Sequence, residues 1–315
     1  MRLGFIGLGN LGAHLARSLL RAGFRVTVHD LDRERASGLI AAGAGWGASP
    51  RLMAEAADAV ITCLPSPAAV AAVVDGADGV LAGLRPGGAW IEMSTNDPDE
   101  IRRLAGQAAS RGIACLEAPV TGGVHKAATG DITVLVGGDP AAFEAHRPVF
   151  AAMGGEVLHI GPLGSASVIK VITNMLAFIH LVGVGEALML ARRGGIDLGK
   201  AFEAIQASSG NSFVHETESR VILSGSYDIG FTMDLACKDL GLAKELGRAF
   251  GVPLELGGLV GRIFERARAR YGGAAWSPMV VRLLEDALGT ELRAPGFPAS
   301  LCPPDAGVDG GPARP

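Results

Sequence analysis

Short apolar runs alternate with stretches of helical spacing through the first half of the chain, and the alternation stops near Gly161. Arg2-Leu3-Gly4-Phe5-Ile6 is short and apolar enough for a buried strand, and residues 11–20 carry apolar side chains at helical intervals. Arg25-Val26-Thr27-Val28-His29 reads as a second strand, and Ala59-Val60-Ile61-Thr62-Cys63-Leu64 as a third, stopped by Pro65. Residues 89–93, 113–118, 132–136 and 156–160 continue the series. Asp97 is placed to cap a helix, with Pro98 at its first position and Glu100 three residues on, a capping-box signature. Such alternation predicts an α/β domain with a mostly parallel sheet covered by helices.

After Gly161-Pro162-Leu163-Gly164 the texture changes. Residues 165–193 have no strong breaker before Gly183 and end at Gly194-Gly195, long enough for one helix to join two domains. Residues 197–292 are helical in period, with caps expected at Asp197 and Asp228. The expected organisation is an α/β domain over 1–163, an all-α domain over 164–292, and a Pro-, Gly- and Ala-rich tail over 293–315 expected to be disordered. A length of 315 residues suits two domains.

Composition narrows the classes. Hydrophobic residues make up 49%, while the net charge of −4 and the scattered Lys and Arg give no basis for binding nucleic acid or a membrane surface. Residues 168–191 are apolar enough to suggest a membrane span, but Lys170, Asn174, His180 and Glu186 would be costly there, so a long buried helix is expected. Cys63, Cys115, Cys237 and Cys302 lack metal-ligand spacing, and no metal site is expected. The first strand begins beside Met1, so no signal peptide is expected and a cytoplasmic location follows.

The first strand runs into Gly7-Leu8-Gly9-Asn10-Leu11-Gly12, and a helix follows. Gly7 permits the tight turn, Gly9 lets the backbone approach a pyrophosphate, and Gly12 lets helix and strand pack closely. The helix N-terminus, with unpaired N–H groups and a favourable dipole, would receive the phosphates. Asp30 ends the second strand 18 residues after Gly12, where a carboxylate can accept hydrogen bonds from the adenosine ribose. A carboxylate there repels a 2′-phosphate and favours NAD over NADP, although Arg33 and Arg35 follow closely.

Lys170 and Asn174 stand four apart and share one helix face. By spacing alone Lys170 could equally snorkel at a surface, but the glycine turn before the helix places it near the strand ends where open α/β sheets bind ligands. Pro119-Val120-Thr121-Gly122-Gly123 follows a strand and could present consecutive N–H groups to a carboxylate, or be an ordinary loop.

These motifs resemble those of the β-hydroxyacid dehydrogenase family over nearly the whole chain to about Leu292. Glu117-Ala118-Pro119-Val120-Thr121-Gly122-Gly123 is similar to that family's Asp-Ala-Pro-Val-Ser-Gly-Gly loop. Residues 161–174 resemble G-x-x-G-x-G-x-x-x-K-x-x-N-N, with Ala166 for a glycine and Thr173 for the first asparagine. Lys238-Asp239-Leu240 matches its Lys-Asp-Leu motif. The resemblance implies an N-terminal Rossmann domain and an NAD-dependent, or alternatively NADP-dependent, enzyme that interconverts a small 3-hydroxy acid and its semialdehyde. Lys170 would be the general acid/base; a free lysine, with a pKa of ~10.4, is a poor base at neutrality unless desolvation lowers it. Asn174 would orient the substrate or the lysine, and Thr121, Gly122 and Gly123 would hold the substrate carboxylate; Asn211, Ser212 and Phe213 would complete the pocket as selectivity residues, or else belong to a loop that only joins helices. Leu64, Pro65 and Thr95 would line the nicotinamide-ribose side, and Lys238 would reach the cofactor. A homodimer or homotetramer is implied. His125 and Lys126 could meet a second anionic group, or simply be solvated. The rival readings are a reductase acting on an imine or a phosphorylated sugar acid, and a non-catalytic NAD-binding sensor; Lys170 speaks against the imine branch.

Overall fold

A computed structural model describes residues 1–303, which form two compact units, 1–170 and 171–303. The first is built on a nine-stranded sheet: β1 (Arg2–Ile6), β2 (Arg25–His29), β3 (Gly45–Trp46), β4 (Ala59–Thr62), β5 (Ala89–Glu92), β6 (Ala114–Glu117), β7 (Val120–Thr121), β8 (Ile132–Gly138) and β9 (Gly154–Gly161). Strands β3-β2-β1-β4-β5-β6 lie side by side and parallel, as the alternating pattern predicts. The order reverses between β1 and β4, which opens a crevice beyond their C-terminal ends. Two strands were not legible in the sequence, the two-residue β3 and β7. The sheet also departs from parallel at its far side, where β8 runs antiparallel to β6 and β7 and parallel to β9.

Strand residues alternate between two buried faces. Phe5, Val28, Ile61 and Ile91 point to the face covered by Leu15, Leu19 and Phe150, while Ile6, Val60 and Trp90 point to that covered by Ile101 and Leu104. The continuous apolar runs in the sequence follow from this double covering. Asp97 caps helix Pro98–Ser110 by accepting from the amides of Asp99 at 2.7 Å and Glu100 at 3.1 Å.

The long helix Ser165–Arg193 has the expected bounds, and the two compact units divide within it, after Lys170. Its length and mean hydropathy of 1.8 would suit a membrane span, yet Phe178, Leu181, Val184 and Leu188 form the core of the second unit with Ile222 and Phe264. The expected burial holds for one face only: Ile172, Leu176 and Leu190 on its other side are 38%, 45% and 75% exposed.

Helices Leu198–Gln206, Phe213–Ser224, Met233–Ala249, Glu255–Tyr271 and Arg282–Leu288 complete the second unit. Asp197 caps the first as expected, accepting from the Lys200 amide at 3.0 Å. Asp228 caps no helix. It accepts from the Gly230 amide at 3.1 Å inside a turn, and Thr232 caps Met233–Ala249 instead. The expected disorder from residue 293 does not hold at its start. Arg293 Nη1 donates to Glu285 Oε1 at 2.9 Å and Nη2 to the Tyr227 hydroxyl at 2.8 Å, and Phe297 packs edge-on against Phe202 at 5.1 Å. Charge pairing and an aromatic anchor hold a segment whose composition suggested none; residues 304–315 lie outside the described residues.

Candidate active site

The dinucleotide loop is shaped by what its glycines exclude. Gly7 sits at φ +97°, and a Cβ there would lie 2.2 Å from the Cys63 carbonyl oxygen; one on Gly12 would lie 2.0 Å from the Gly7 oxygen. Gly9, by contrast, has only Arg35 Nη1 nearby, 3.8 Å from an added Cβ, which leaves room for a pyrophosphate above the helix Gly12–Arg21. The loop residues Leu8, Asn10 and Leu11 complete the turn, with Asn10 exposed. These features fit a dinucleotide.

Asp30 braces the loop itself, which its sequence position does not reveal. Its Oδ2 accepts from the Leu8 amide at 2.7 Å and its Oδ1 from the Asp32 amide at 2.9 Å, so the carboxylate ties the end of β2 to the glycine loop. Arg33 lies over the Trp46 ring at 5.6 Å, and Arg35 approaches Asp32 at 3.6 Å. Both cations already have partners near the adenosine end.

The residues expected on the nicotinamide side follow β4 and β5: Leu64 and Thr95 are half-buried and Pro65 is exposed. The support beneath them was missed in the sequence. Buried Glu92 accepts from the Thr62 hydroxyl and from the Ser94 amide at 2.7 Å; Trp90 Nε1 donates to Thr62 Oγ1 at 2.9 Å, and the Leu64 amide to Ser94 Oγ at 2.7 Å. Burial, and then the Glu92 carboxylate, push the Cys63 thiol up to about 12, which suits a packing residue and not a nucleophile.

The Thr121 loop follows β6 with Gly122 at φ +122° and Gly123 at φ +87°, a backbone that only glycine adopts without strain. The His125 ring lies 3.2 Å from where a Gly123 Cβ would stand, and Lys126 Cδ 3.0 Å from that of Gly122. Lys126 Nζ is 3.2 Å from Asp131. Burial, and then Lys126, lower the His125 pKa, so it is neutral at pH 7.

Glu117, the last residue of β6, is fully buried and accepts from the Ala166 amide at 2.8 Å, the Ser167 amide at 3.1 Å and the Ser167 hydroxyl. It thereby holds the first turn of the helix that carries Lys170, which is 8% exposed. No sequence signal linked positions 49 and 50 residues apart.

In the second unit, Asn174 Nδ2 donates to Asp239 Oδ2 at 2.6 Å. Asp239 is fully buried, and its Oδ1 lies 2.8 Å from Lys238 Nζ; the contact is an ion pair not aligned as a hydrogen bond. Three residues of two motifs thus meet. Asn211 is engaged within its own segment, donating to Glu216 Oε1 at 2.7 Å and accepting from the Ser212 amide at 2.8 Å, while Phe213 is 48% exposed. Among the described residues no group of three or more His, Cys, Asp or Glu is gathered to hold a metal.

A Rossmann sheet with this loop defines a dinucleotide-binding domain. Residues 2–161 match the family described as the NAD-binding domain of 6-phosphogluconate dehydrogenase, and residues 164–284 that described as NAD-binding of NADP-dependent 3-hydroxyisobutyrate dehydrogenase. The chain is 34% identical to 2-(hydroxymethyl)glutarate dehydrogenase of Eubacterium barkeri, over 93% of this chain and 97% of that one. It is 37% identical to NAD-dependent L-serine dehydrogenase of Pseudomonas aeruginosa, over 90% and 98%. A crystal structure of 3-hydroxyisobutyrate dehydrogenase from Salmonella typhimurium superposes with a TM-score of 0.83 at 33% identity, covering 90% of this chain and 99% of that one. The protein belongs to the β-hydroxyacid dehydrogenase family and is an NAD(P)-dependent oxidoreductase of the 3-hydroxy acid type.

Proposed function

We propose that the protein oxidises a small acid bearing a hydroxymethyl group next to its carboxylate-bearing carbon, giving the semialdehyde, and that Lys170 exchanges the hydroxyl proton. The carrying observation is the near-complete burial of Lys170 in the same unit as the dinucleotide loop and the Thr121-Gly122-Gly123 turn, on a helix start held by Glu117. Bound NAD supplies the hydride acceptor. The amides of Gly122 and Gly123, with the Thr121 hydroxyl, hold the substrate carboxylate. The Lys170 amine takes the hydroxyl proton during oxidation, and its ammonium returns it and stabilises the alkoxide during reduction. Asn174, fixed by Asp239, orients the reacting groups, and Lys238 serves the cofactor side.

The relatives support the substrate class, since hydroxymethylglutarate, serine and 3-hydroxyisobutyrate share that 3-hydroxy carboxylate unit. NAD is the preferred cofactor because Asp30 places a carboxylate at the end of β2 and both nearby arginines are engaged. A cytoplasmic location accords with four free cysteines. The working unit is a homodimer or homotetramer. Ile172, Leu176 and Leu190 form an exposed apolar stripe on the long helix, with Gly183 along it open to close approach, and a second copy of the helix would cover it. Phe213, an exposed ring at the start of its helix, contributes to substrate selectivity.

The test is oxidation of a panel of 3-hydroxy acids with NAD and NADP in parallel. A preferred acid bearing a primary hydroxymethyl group, with NAD favoured, supports the proposal. Turnover confined to 2-hydroxy acids or imines contradicts it.

A further inference from the structure

Two departures from the family's motifs touch each other. Glu117 stands where the loop motif has aspartate, Ala166 stands where the helix motif has glycine, and the Ala166 amide donates to Glu117 Oε1 at 2.8 Å. The remaining Glu117 oxygen accepts from the Ser167 amide at 3.1 Å and the Ser167 hydroxyl. A carboxylate at a helix N-terminus satisfies orphan N–H groups and matches the dipole. Here the cap comes from a distant strand and not from the preceding residue, which makes it a tether between two elements.

Both ends of that tether lead to the substrate. Glu117 closes β6, four residues before Thr121. Ala166 lies one turn before Lys170 on the same helix face. Helical side chains lean back toward the N-terminus, so a long side chain covers the turn preceding its own Cα. The Lys170 stem therefore lies over the turn that Glu117 holds. Strand β8 leaves space for the carboxylate: Gly137 pairs with Glu117, and a Cβ on Gly137 would stand 2.3 Å from Oε1. The Ala166 methyl is fully buried in that same turn, and the glutamate side chain, one methylene longer than aspartate, reaches its amide.

Resting on the reading of Lys170 as acid/base, we propose that Glu117 is a positioning residue for Lys170, matched in length to Ala166, and that it keeps the lysine in register with the carboxylate-holding loop. A displacement of about 1 Å at a reacting group can lower turnover on the order of 100-fold. Loss of the tether acts at that level, without touching the dinucleotide loop.

The experiment compares Glu117→Gln, Glu117→Asp, Glu117→Asp with Ala166→Gly, Gly137→Ala and Lys170→Ala on the full chain. Readouts are thermal stability, NADH affinity by fluorescence, kcat, KM and the pH dependence of kcat. Glu117→Gln is expected to bind NADH as wild type does, to lose on the order of 10- to 100-fold in kcat, and to show a displaced pH profile. Glu117→Asp and Gly137→Ala fall in the same direction, and adding Ala166→Gly restores most of the activity of Glu117→Asp. A folded Glu117→Gln with the wild-type kcat and pH profile would make Glu117 a structural cap only. If that variant does not fold, unchanged kcat in Glu117→Asp and Gly137→Ala overturns the proposal equally. Retained activity in Lys170→Ala would instead overturn the acid/base reading itself, so the two failures are separable.

Discussion

Asn174 and Asp239 are joined by a 2.6 Å hydrogen bond from the amide nitrogen of one to the buried carboxylate of the other. Asp239 also faces Lys238 Nζ at 2.8 Å, so one carboxylate fixes two residues assigned to the site. Its burial makes it a fixed acceptor for Asn174. Asp239→Ala should destabilise the protein by about 1.5–3 kcal/mol, because it removes the buried carboxylate that accepts from Asn174 and pairs with Lys238. It should also lower kcat. Urea unfolding and steady-state kinetics check both, and a variant as stable as wild type would show that the pair carries no weight.

Asp30 should matter in two ways. Its oxygens hold the Leu8 and Asp32 amides, so Asp30→Ala loosens the glycine loop as well as removing the ribose acceptor. Hydrogen bonds to a charged group contribute about 1.5–3 kcal/mol, which corresponds to roughly 10- to 100-fold weaker NAD binding. NADP should lose less, narrowing the preference. An unchanged ratio of kcat/KM for the two cofactors would separate Asp30 from the ribose.

Glu218 makes stability depend on pH. Burial raises its pKa from the ordinary 4.5 to about 8, and its Oε2 has no hydrogen-bond partner among the described residues. Below pH 4.5 the carboxyl is neutral in both folded and unfolded chains. As pH rises toward about 8 the unfolded chain releases the proton while the folded one retains it, so this contribution to stability is progressively lost. Glu218→Gln should therefore gain stability over wild type as pH rises from 5 to about 8. Parallel stability curves for the two proteins would contradict the assignment.

The apolar stripe on the long helix gives a prediction about assembly. Leu176, 45% exposed, should be buried by the partner copy, so Leu176→Glu should shift the protein toward monomer in light scattering while leaving NADH binding intact. A wild-type protein already monomeric at micromolar concentration would remove this reading.

The sequence displayed what depends on local rules. The glycine fingerprint, the helix bounded by Gly164 and Gly194, and the cap at Asp97 are each written in a few adjacent residues. What it concealed depends on residues far apart along the chain. Glu117 reads as one more strand residue until the turn 49 residues later arrives against it. Glu92 and Thr62 likewise meet only across neighbouring strands, 30 residues apart. Strands β3 and β7, two residues each, are too short for any period to register. At Arg293 composition misled, because Pro and Gly around it suggested disorder while Glu285 and Tyr227 supplied partners.

Hydride transfer assisted by Lys170 is tested most directly by single-turnover oxidation with Lys170→Ala and wild type, each saturated with NAD and the preferred 3-hydroxy acid. The variant should bind NADH with near-normal affinity and lose about 10²- to 10⁴-fold in the rate of NADH appearance, the usual contribution of a general acid/base. A variant that forms NADH at the wild-type rate would remove Lys170 from the chemistry.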